Sequence, residues 1–163
     1  MKAIITSHLE DYLKAILFVS SGNGNAHASA VAEKMGVTRA SVTGALRALA
    51  DRSLIAYRPY QPVVLTDEGR QVAQACASRH QFLHQFFRDQ LGMADLEAES
   101  VASKVEHVAS SSVLSRMAEF TRFLAECREV ELVWDSNGTL RCTRKPISPR
   151  CRGCVRKPAA VSD

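Results

Sequence analysis

The chain has 163 residues, of which 46% are hydrophobic, and a formal net charge of +4 at pH 7. This length suffices for one substantial core or two small cooperating domains, and the mildly basic charge permits a polyanionic partner without requiring one. The sequence has no signal-peptide pattern and no run of 18 apolar residues, so neither secretion nor a membrane span is predicted. A cytoplasmic location is therefore expected, where the five cysteines would be thiols or metal ligands rather than disulfides.

The first predicted helix covers residues 7–21, SHLEDYLKAILFVSS. It opens on Ser7-x-x-Glu10, a capping-box pattern. Its apolar residues recur at helical spacing and are Leu9, Tyr12, Leu13, Ile16 and Leu17.

Two further helices with a tight turn between them are predicted next. The first covers residues 29–37, with Ser29 as its N-cap and Gly36 just past its end. Thr38 caps the second, which covers residues 38–55. The side chains expected to face the core are Val42, Ala45, Leu46 and Leu49.

Residues 54–66, LIAYRPYQPVVLT, predict a two-stranded hairpin, because β-branched runs flank a loop that contains Pro59 and Pro62. Helix, short helix, turn, helix and hairpin in this order make a winged helix-turn-helix. Its second paired helix would enter the major groove of DNA, with its N-terminal residues facing base edges.

The exposed face of that helix carries small or basic side chains, as close approach to DNA requires. The residues predicted to contact DNA are Thr38, Arg39, Ala40, Ser41, Thr43, Arg47 and, in the hairpin loop, Arg58. Gly44 lies on the same face, and a glycine there lowers helix stability by roughly 1 kcal/mol relative to alanine. Close packing against the sugar-phosphate backbone would offset that cost, and so would close packing between helices. The arginines also fit solvated surface charge or a protein-binding winged helix.

Three helices are predicted after the hairpin. The first is capped by Thr66 and ends at Gly92, and the second runs from Asp95 to about Ala109. The second and third carry apolar residues that suit a two-fold interface, although some only close the monomer core. These residues are Val101, Val105, Val108, Val113, Leu114, Met117, Phe120 and Leu124. A homodimer is expected, because a palindromic operator requires two reading heads.

Histidines and carboxylates recur on two of these helices. His80 and His84 are four residues apart, so they share a face. The next helix carries on one face Glu99, Ser103, Glu106 and His107. If the two helices pack antiparallel, these oxygen and imidazole ligands suit Mn²⁺ or Fe²⁺, and zinc is a further possibility. The alternative is that the histidines are partly buried with ordinary hydrogen bonds.

Four segments resemble the diphtheria toxin repressor and manganese transport regulator family. They are EDYLKAI, VAEKMGVTRASVTGALRALADRSLIAYRPYQPVVLTDEGRQVA, RHQFLHQFF and KVEHVASSSVLSRM, and the resemblance covers residues 7–125 in collinear order. Members of that family are dimeric, metal-activated transcription factors. The resemblance thus implies a metal-dependent DNA-binding repressor of metal-ion homeostasis genes, in which Mn²⁺ or Fe²⁺ stabilises the DNA-competent dimer.

The resemblance also implies the ligands. The family's primary metal site matches Asp11, Glu106 and His107, and the manganese branch adds the residue that matches His80. In the iron branch that position belongs to an ancillary site whose partners match His84 and Glu99, with the histidine and the carboxylate exchanged here.

Two departures from the family pattern weaken the primary site. Ser103 stands where the family has cysteine or glutamate, and Lys14 stands where the manganese branch has a second glutamate. Serine is a weak ligand, and an ammonium near the site would repel a cation. The site formed by His80, His84 and Glu99 is therefore a candidate for the better-built one.

The tail contains four cysteines, Cys127, Cys142, Cys151 and Cys154, with CRGC as a CxxC knuckle. All four could hold Zn²⁺ or an iron–sulfur cluster, and so could Cys142, Cys151 and Cys154 with a fourth ligand from outside the tail. A disordered basic tail with incidental thiols is an equal alternative. Residues 130–144, VELVWDSNGTLRCTR, predict a hairpin with its turn at Asn137-Gly138.

The sequence thus predicts a mainly α protein in three parts. Residues 1–72 form a winged helix-turn-helix, residues 73–125 a helical metal-binding and dimerisation domain, and residues 126–163 a Cys-rich basic tail with a possible zinc-binding hairpin. The alternative function is a redox or iron–sulfur sensing regulator that uses the tail cysteines, its helical metal site having decayed. An enzyme is not expected, because no nucleophile, glycine-rich loop or cleft pattern accompanies the ligands.

Overall fold

The structure of the protein, a computed structural model, describes residues 5–23, 26–126, 132–134, 136–137 and 140–142. The chain divides into two compact units. The first comprises Met1–Leu83 and Ala102–His107, and the second comprises His84–Val101 and Val108–Asp163.

The first unit begins with the predicted winged helix-turn-helix. Its elements are α1 (Ser7–Asn23), α2 (Ala28–Met35), α3 (Arg39–Ala50), β1 (Ile55–Ala56) and β2 (Val64–Leu65). The two strands pair antiparallel, with Ile55 opposite Leu65, and a single bridge from Ala26 to Val63 extends the wing. The order of elements predicted from the sequence is confirmed.

The turn between α2 and α3 depends on Gly36, which has a φ of 65° and donates its N–H to the carbonyl oxygen of Glu33. Thr38 then caps α3, since its Oγ1 accepts a hydrogen bond from the backbone N–H of Ser41. The predicted N-cap of α2 was wrong by two residues: His27 is the N-cap and the helix begins at Ala28, so Ser29 lies in its first turn. The helix predicted to reach residue 55 was too long: α3 ends at Ala50, and the residues that follow it lead into β1 at Ile55.

The core of this unit lies between α1, α3 and the wing. The four side chains of α3 predicted to face inward are all buried, and so are Leu9, Tyr12, Leu13 and Ile16 of α1. Each large apolar side chain buried there contributes roughly 1.5–3 kcal/mol. Gly69, in the first turn of the helix that follows the wing, lets that helix pack closely on this core. A Cβ at that position would lie 1.8 Å from the carbonyl oxygen of Leu54.

The remaining helices are α4 (Asp67–Gln85), α5 (Asp95–Val105) and α6 (Ser111–Glu126). The long helix predicted to reach Gly92 changes at Phe86 into a π-helical turn, Phe86–Gln90. α5 ends four residues earlier than predicted, so Glu106 and His107 lie in the turn that follows it. The amide of Glu106 still donates to the carbonyl of Ala102, which continues the helical pattern by one bond.

The second unit contains a further hairpin, formed by β3 (Leu132–Trp134) and β4 (Leu140–Cys142), which pair antiparallel. The hairpin predicted in the tail is confirmed. Trp134 anchors it, since its indole N–H donates to the carbonyl oxygen of Gln90 at 3.0 Å. Within the described part of the chain, no helix is long and apolar enough to span a bilayer.

Candidate metal centre

Three of the predicted ligands meet in the first unit. Asp11 comes from α1, and Glu106 and His107 come from the turn after α5. One ligand atom from each lies within 4.8 Å of the others, and among the described residues this is the single group of three or more histidine, cysteine or acidic side chains with that property. The Nε2 atom of His107 is 3.5 Å from Oδ1 of Asp11 and 3.5 Å from Oε1 of Glu106.

Glu106 is the centre of this group. Its side chain is 2% exposed, and it is the one fully buried charged residue in the described part of the chain. Nδ1 of His80, on α4, lies 3.4 Å from its second carboxylate oxygen. A buried carboxylate is stable only when cations or hydrogen-bond donors surround it, so Glu106 requires a positive partner.

Lys14 supplies a positive charge. Its Nζ atom is 2.6 Å from Oε1 of Glu106 and 2.9 Å from Oδ1 of Asp11, the same two oxygens that face His107. Burial by itself lowers the pKa of this lysine, but the hydrogen bonds to Glu106 and Asp11 outweigh it, so the pKa lies above its ordinary value. The amine is therefore protonated at physiological pH, and an ammonium shares the site.

Glu10 is a member of the site that the sequence did not reveal. Its Oε2 atom is 3.2 Å from a guanidinium nitrogen of Arg79 and 3.4 Å from Nδ1 of His107. Metal-binding histidines commonly donate their other ring N–H to a carboxylate, which fixes the ring orientation. The capping-box pattern had assigned Glu10 to local helix capping, whereas its carboxylate contacts residues far along the chain.

The donor set fits a divalent cation. Two carboxylates and two imidazoles, without thiolate, are ligands that suit manganese, iron or zinc. Asp11, Glu106, His107 and His80 would hold such an ion, while Lys14 competes for the same oxygens.

Two other predicted ligands, His84 and Glu99, belong to the second unit. In the second unit, Nε2 of His84 is 3.1 Å from Oδ1 of Asp95, a partner that the sequence did not indicate. Glu99 and Ser103 are exposed on α5. The site of His80, His84 and Glu99 remains a prediction, because His80 belongs to the first unit and the other two to the second.

The predicted DNA-reading residues of α3 and its cap are exposed, apart from a half-buried Thr43 whose hydroxyl donates to the carbonyl of Arg39 at 2.9 Å. A Cβ added to Gly44 would have no atom within 4 Å, so packing within this chain does not account for the glycine.

Tyr60, at the tip of the wing, was not among the residues predicted to contact DNA. It is fully exposed and has a φ of 67°, in a turn where Gln61 donates to the carbonyl of Arg58.

Two family models match the chain. "Iron dependent repressor, N-terminal DNA binding domain" covers residues 5–63, and "Iron dependent repressor, metal binding and dimerisation domain" covers residues 66–135. The chain belongs to the diphtheria toxin repressor and manganese transport regulator family. The resemblance noted in the sequence is thereby confirmed.

Curated members of this family are similar over most of their length. The HTH-type transcriptional regulator MntR of Geobacillus kaustophilus (strain HTA426) is 29% identical over 121 residues, which are 74% of this chain and 85% of the relative. MntR of Bacillus subtilis (strain 168) is 27% identical over 121 residues, 74% of this chain and 84% of the relative.

Solved structures of the family share the fold. The manganese regulator SloR is 25% identical with a TM-score of 0.63, over 71% of this chain and 54% of that one. A manganese-dependent transcriptional repressor in complex with manganese is 26% identical with a TM-score of 0.64, over 81% of this chain and 61% of that one. This chain thus spans less than two thirds of either structure.

As a member of this family, the chain is a metal-dependent, DNA-binding transcriptional repressor whose partners are DNA and a second copy of itself. Its cofactor is a divalent metal ion. The family's members are regulators, which is consistent with the expectation that this chain is not an enzyme.

Proposed function

We propose that the activating metal, Mn²⁺ or Fe²⁺, is held by Asp11, Glu106 and His107, with His80 completing the set. The observation that carries this proposal is the convergence of three ligand atoms within 4.8 Å on a carboxylate that is buried. A bound dication would offset both carboxylate charges. It would also tie α1 to the turn after α5, because Asp11 lies on the first and Glu106 on the second.

The consequence for DNA binding follows from the packing of α1. This helix contacts α2 and α3 within the first unit, so restraining α1 restrains the reading helix. In a dimer, the restraint selects the separation of two reading helices that fits two half-sites of a palindromic operator. We propose that the regulated genes serve metal-ion homeostasis and that the protein acts in the cytoplasm.

The DNA contacts are proposed for the exposed face around α3 and for the wing. Arg39 and Arg47 are exposed on α3, and Arg58 is exposed beside the tip of the wing. The side-chain hydroxyls of Thr38 and Ser41 are hydrogen-bonded at 3.0 Å at the start of α3, the end of the helix that would contact base edges. Ala40 and Thr43 complete the proposed contact surface.

The proposed dimer surface is the apolar side of α6 in the second unit. Val113, Phe120 and Phe123 are exposed there in the single chain, and Val108 is exposed just before the helix. Exposed apolar patches of this kind mark interaction sites, and a two-fold dimer uses the same patch on both copies.

The metal or cluster site predicted for the tail cysteines is not tested by the structure. Cys127, Cys151 and Cys154 lie outside the described residues, and of Cys142 only the backbone is described, in β4. A zinc or iron–sulfur site there remains a prediction. The similar proteins are manganese-dependent or iron-dependent regulators, so they do not favour the redox alternative.

The test is a DNA-binding titration of the full chain with and without added Mn²⁺, Fe²⁺ or Zn²⁺. Metal is expected to tighten binding, and His107→Ala is expected to abolish that response. His27→Ala is a matched control, because His27 is exposed and makes no side-chain cap bond. DNA binding that does not change with divalent metal but is lost on oxidation would instead indicate a redox-sensing regulator that uses the cysteines.

A further inference from the structure

Lys14 and the proposed metal ligands compete for the same atoms. Its ammonium nitrogen lies 2.6 Å from Oε1 of Glu106 and 2.9 Å from Oδ1 of Asp11. We infer that Lys14 is a resident cation of the site: it holds Asp11 and Glu106 together in the metal-free protein, and an incoming divalent metal must displace it. This inference rests on the metal site proposed above.

Electrostatic repulsion prevents the Lys14 ammonium and a divalent metal from occupying the site together. The ammonium is shared between two carboxylates, so the site keeps one net negative charge while Lys14 is in place. A dication that bound the same oxygens would lie within a few ångströms of the ammonium, and their repulsion is twice that of two unit charges at the same distance. Because Glu106 is buried, solvent screens that repulsion poorly.

Lys14 is the group that can move. Its side chain is 21% exposed and carries the ammonium at the end of a flexible four-carbon chain. Glu106, by contrast, is buried in the turn after α5. Lys14 also stands one helical turn after Asp11 on α1, and rotation about its side-chain bonds would carry the ammonium away from the carboxylates. The expected result is a site that is assembled before metal arrives and that binds metal more weakly than it would without the lysine.

Isothermal titration of the full chain with Mn²⁺ tests this inference through Lys14→Met. The variant removes the charge and keeps an unbranched side chain that is one atom shorter, so Mn²⁺ is expected to bind about tenfold more tightly, while the metal-free protein melts at a lower temperature. Lys104→Met is the control, because Lys104 is exposed on α5, and it should change neither quantity. Mn²⁺ affinity that is unchanged or weaker in Lys14→Met overturns the inference.

A measurement on the wild-type chain does not depend on the variant folding. Amine labelling by reductive methylation, read by mass spectrometry, should find Lys14 protected relative to Lys104 without metal. Added Mn²⁺ should bring the labelling rate of Lys14 close to that of Lys104. Protection of Lys14 that survives saturation with Mn²⁺ contradicts displacement.

The outcomes separate this inference from the proposed site. If neither the wild-type chain nor Lys14→Met binds Mn²⁺, the proposed metal site is wrong and the inference fails with it. If both bind with equal affinity and His107→Ala does not bind, the site stands and only the role of Lys14 is refuted.

Discussion

Nδ1 of His107 lies 3.4 Å from Oε2 of Glu10, so the two nitrogens of this ring face carboxylates on opposite sides. The same Glu10 oxygen is 3.2 Å from a guanidinium nitrogen of Arg79, so the carboxylate contacts both side chains. We expect Nδ1 of His107 to donate a hydrogen bond to this carboxylate when Nε2 binds the metal, as is common for metal-binding histidines. The prediction is that Glu10 orients His107 for the proposed metal site.

Glu10→Gln is expected to weaken Mn²⁺ binding roughly 10- to 100-fold, the range typical for partners that orient metal-binding histidines. The amide keeps the size of the side chain but no longer favours the same ring tautomer. Isothermal titration measures the loss, and thermal unfolding of the metal-free chain checks that the fold is intact. Glu33→Gln, on the exposed side of α2, is the control. An affinity equal to wild type would show that Glu10 serves only the ion pair with Arg79.

The sequence predicted the inner face of α3 correctly because helical periodicity is a local signal. Val42, Ala45, Leu46 and Leu49 recur at the spacing that places them on one side, and all four are buried. Asp11, Glu106 and His107 were named as ligands through the family resemblance, and the fold does bring them together. Their role as ligands remains a proposal until metal binding is measured.

The roles of Glu10 and Lys14 could not be read from the sequence, because their partners are distant in the chain. Lys14 bonds to Glu106, 92 residues away, and Glu10 pairs with Arg79, 69 residues away. From the sequence, Lys14 was only a departure from the family pattern whose charge would repel a cation. The sequence did not show that the two carboxylates need the ammonium when no metal is bound. The end of α5 was also misplaced, since neither glycine nor proline follows Val105 to mark it.

Gly44→Ala is expected to stabilise the chain and to weaken its binding to DNA. The free energy of unfolding should rise by about 1 kcal/mol, because Gly44 lies in an exposed helix and an added Cβ meets no atom of this chain. The methyl group would instead meet the sugar-phosphate backbone if α3 enters the major groove. Urea unfolding and fluorescence anisotropy with operator DNA measure the two effects.

Gly22→Ala is the matched control for this experiment. Gly22 also lies in a helix with open space around its Cα, but at the end of α1. Gly22→Ala should raise the free energy of unfolding without changing the affinity for DNA. If Gly44→Ala binds DNA as tightly as Gly22→Ala, the proposed approach of α3 to DNA is wrong.

Tyr60→Asn tests whether the tip of the wing contacts DNA. A bulky residue in the left-handed region costs about 1 kcal/mol, and asparagine tolerates that conformation better. Stability should therefore be kept or increased, while loss of the exposed ring should reduce DNA affinity severalfold. Thermal unfolding and DNA titration at one fixed salt concentration measure both. A variant that is more stable and binds DNA normally would exclude Tyr60 from the interface.

Phe123→Arg is expected to dissociate the dimer. Phe123 is 62% exposed on α6 in the single chain, and an arginine there would place a charge in the proposed two-fold interface. Loss of a central aromatic contact costs about 2 kcal/mol or more, which corresponds to at least roughly a 30-fold weaker dimer. Sedimentation equilibrium measures the dimer constant, and DNA affinity should fall in parallel if, as proposed, the operator is palindromic and is bound by both copies. Ala118→Arg adds the same charge five residues earlier, on another side of the helix, and should remain dimeric. Equal dimer constants for the two variants would place the interface elsewhere than this side of α6.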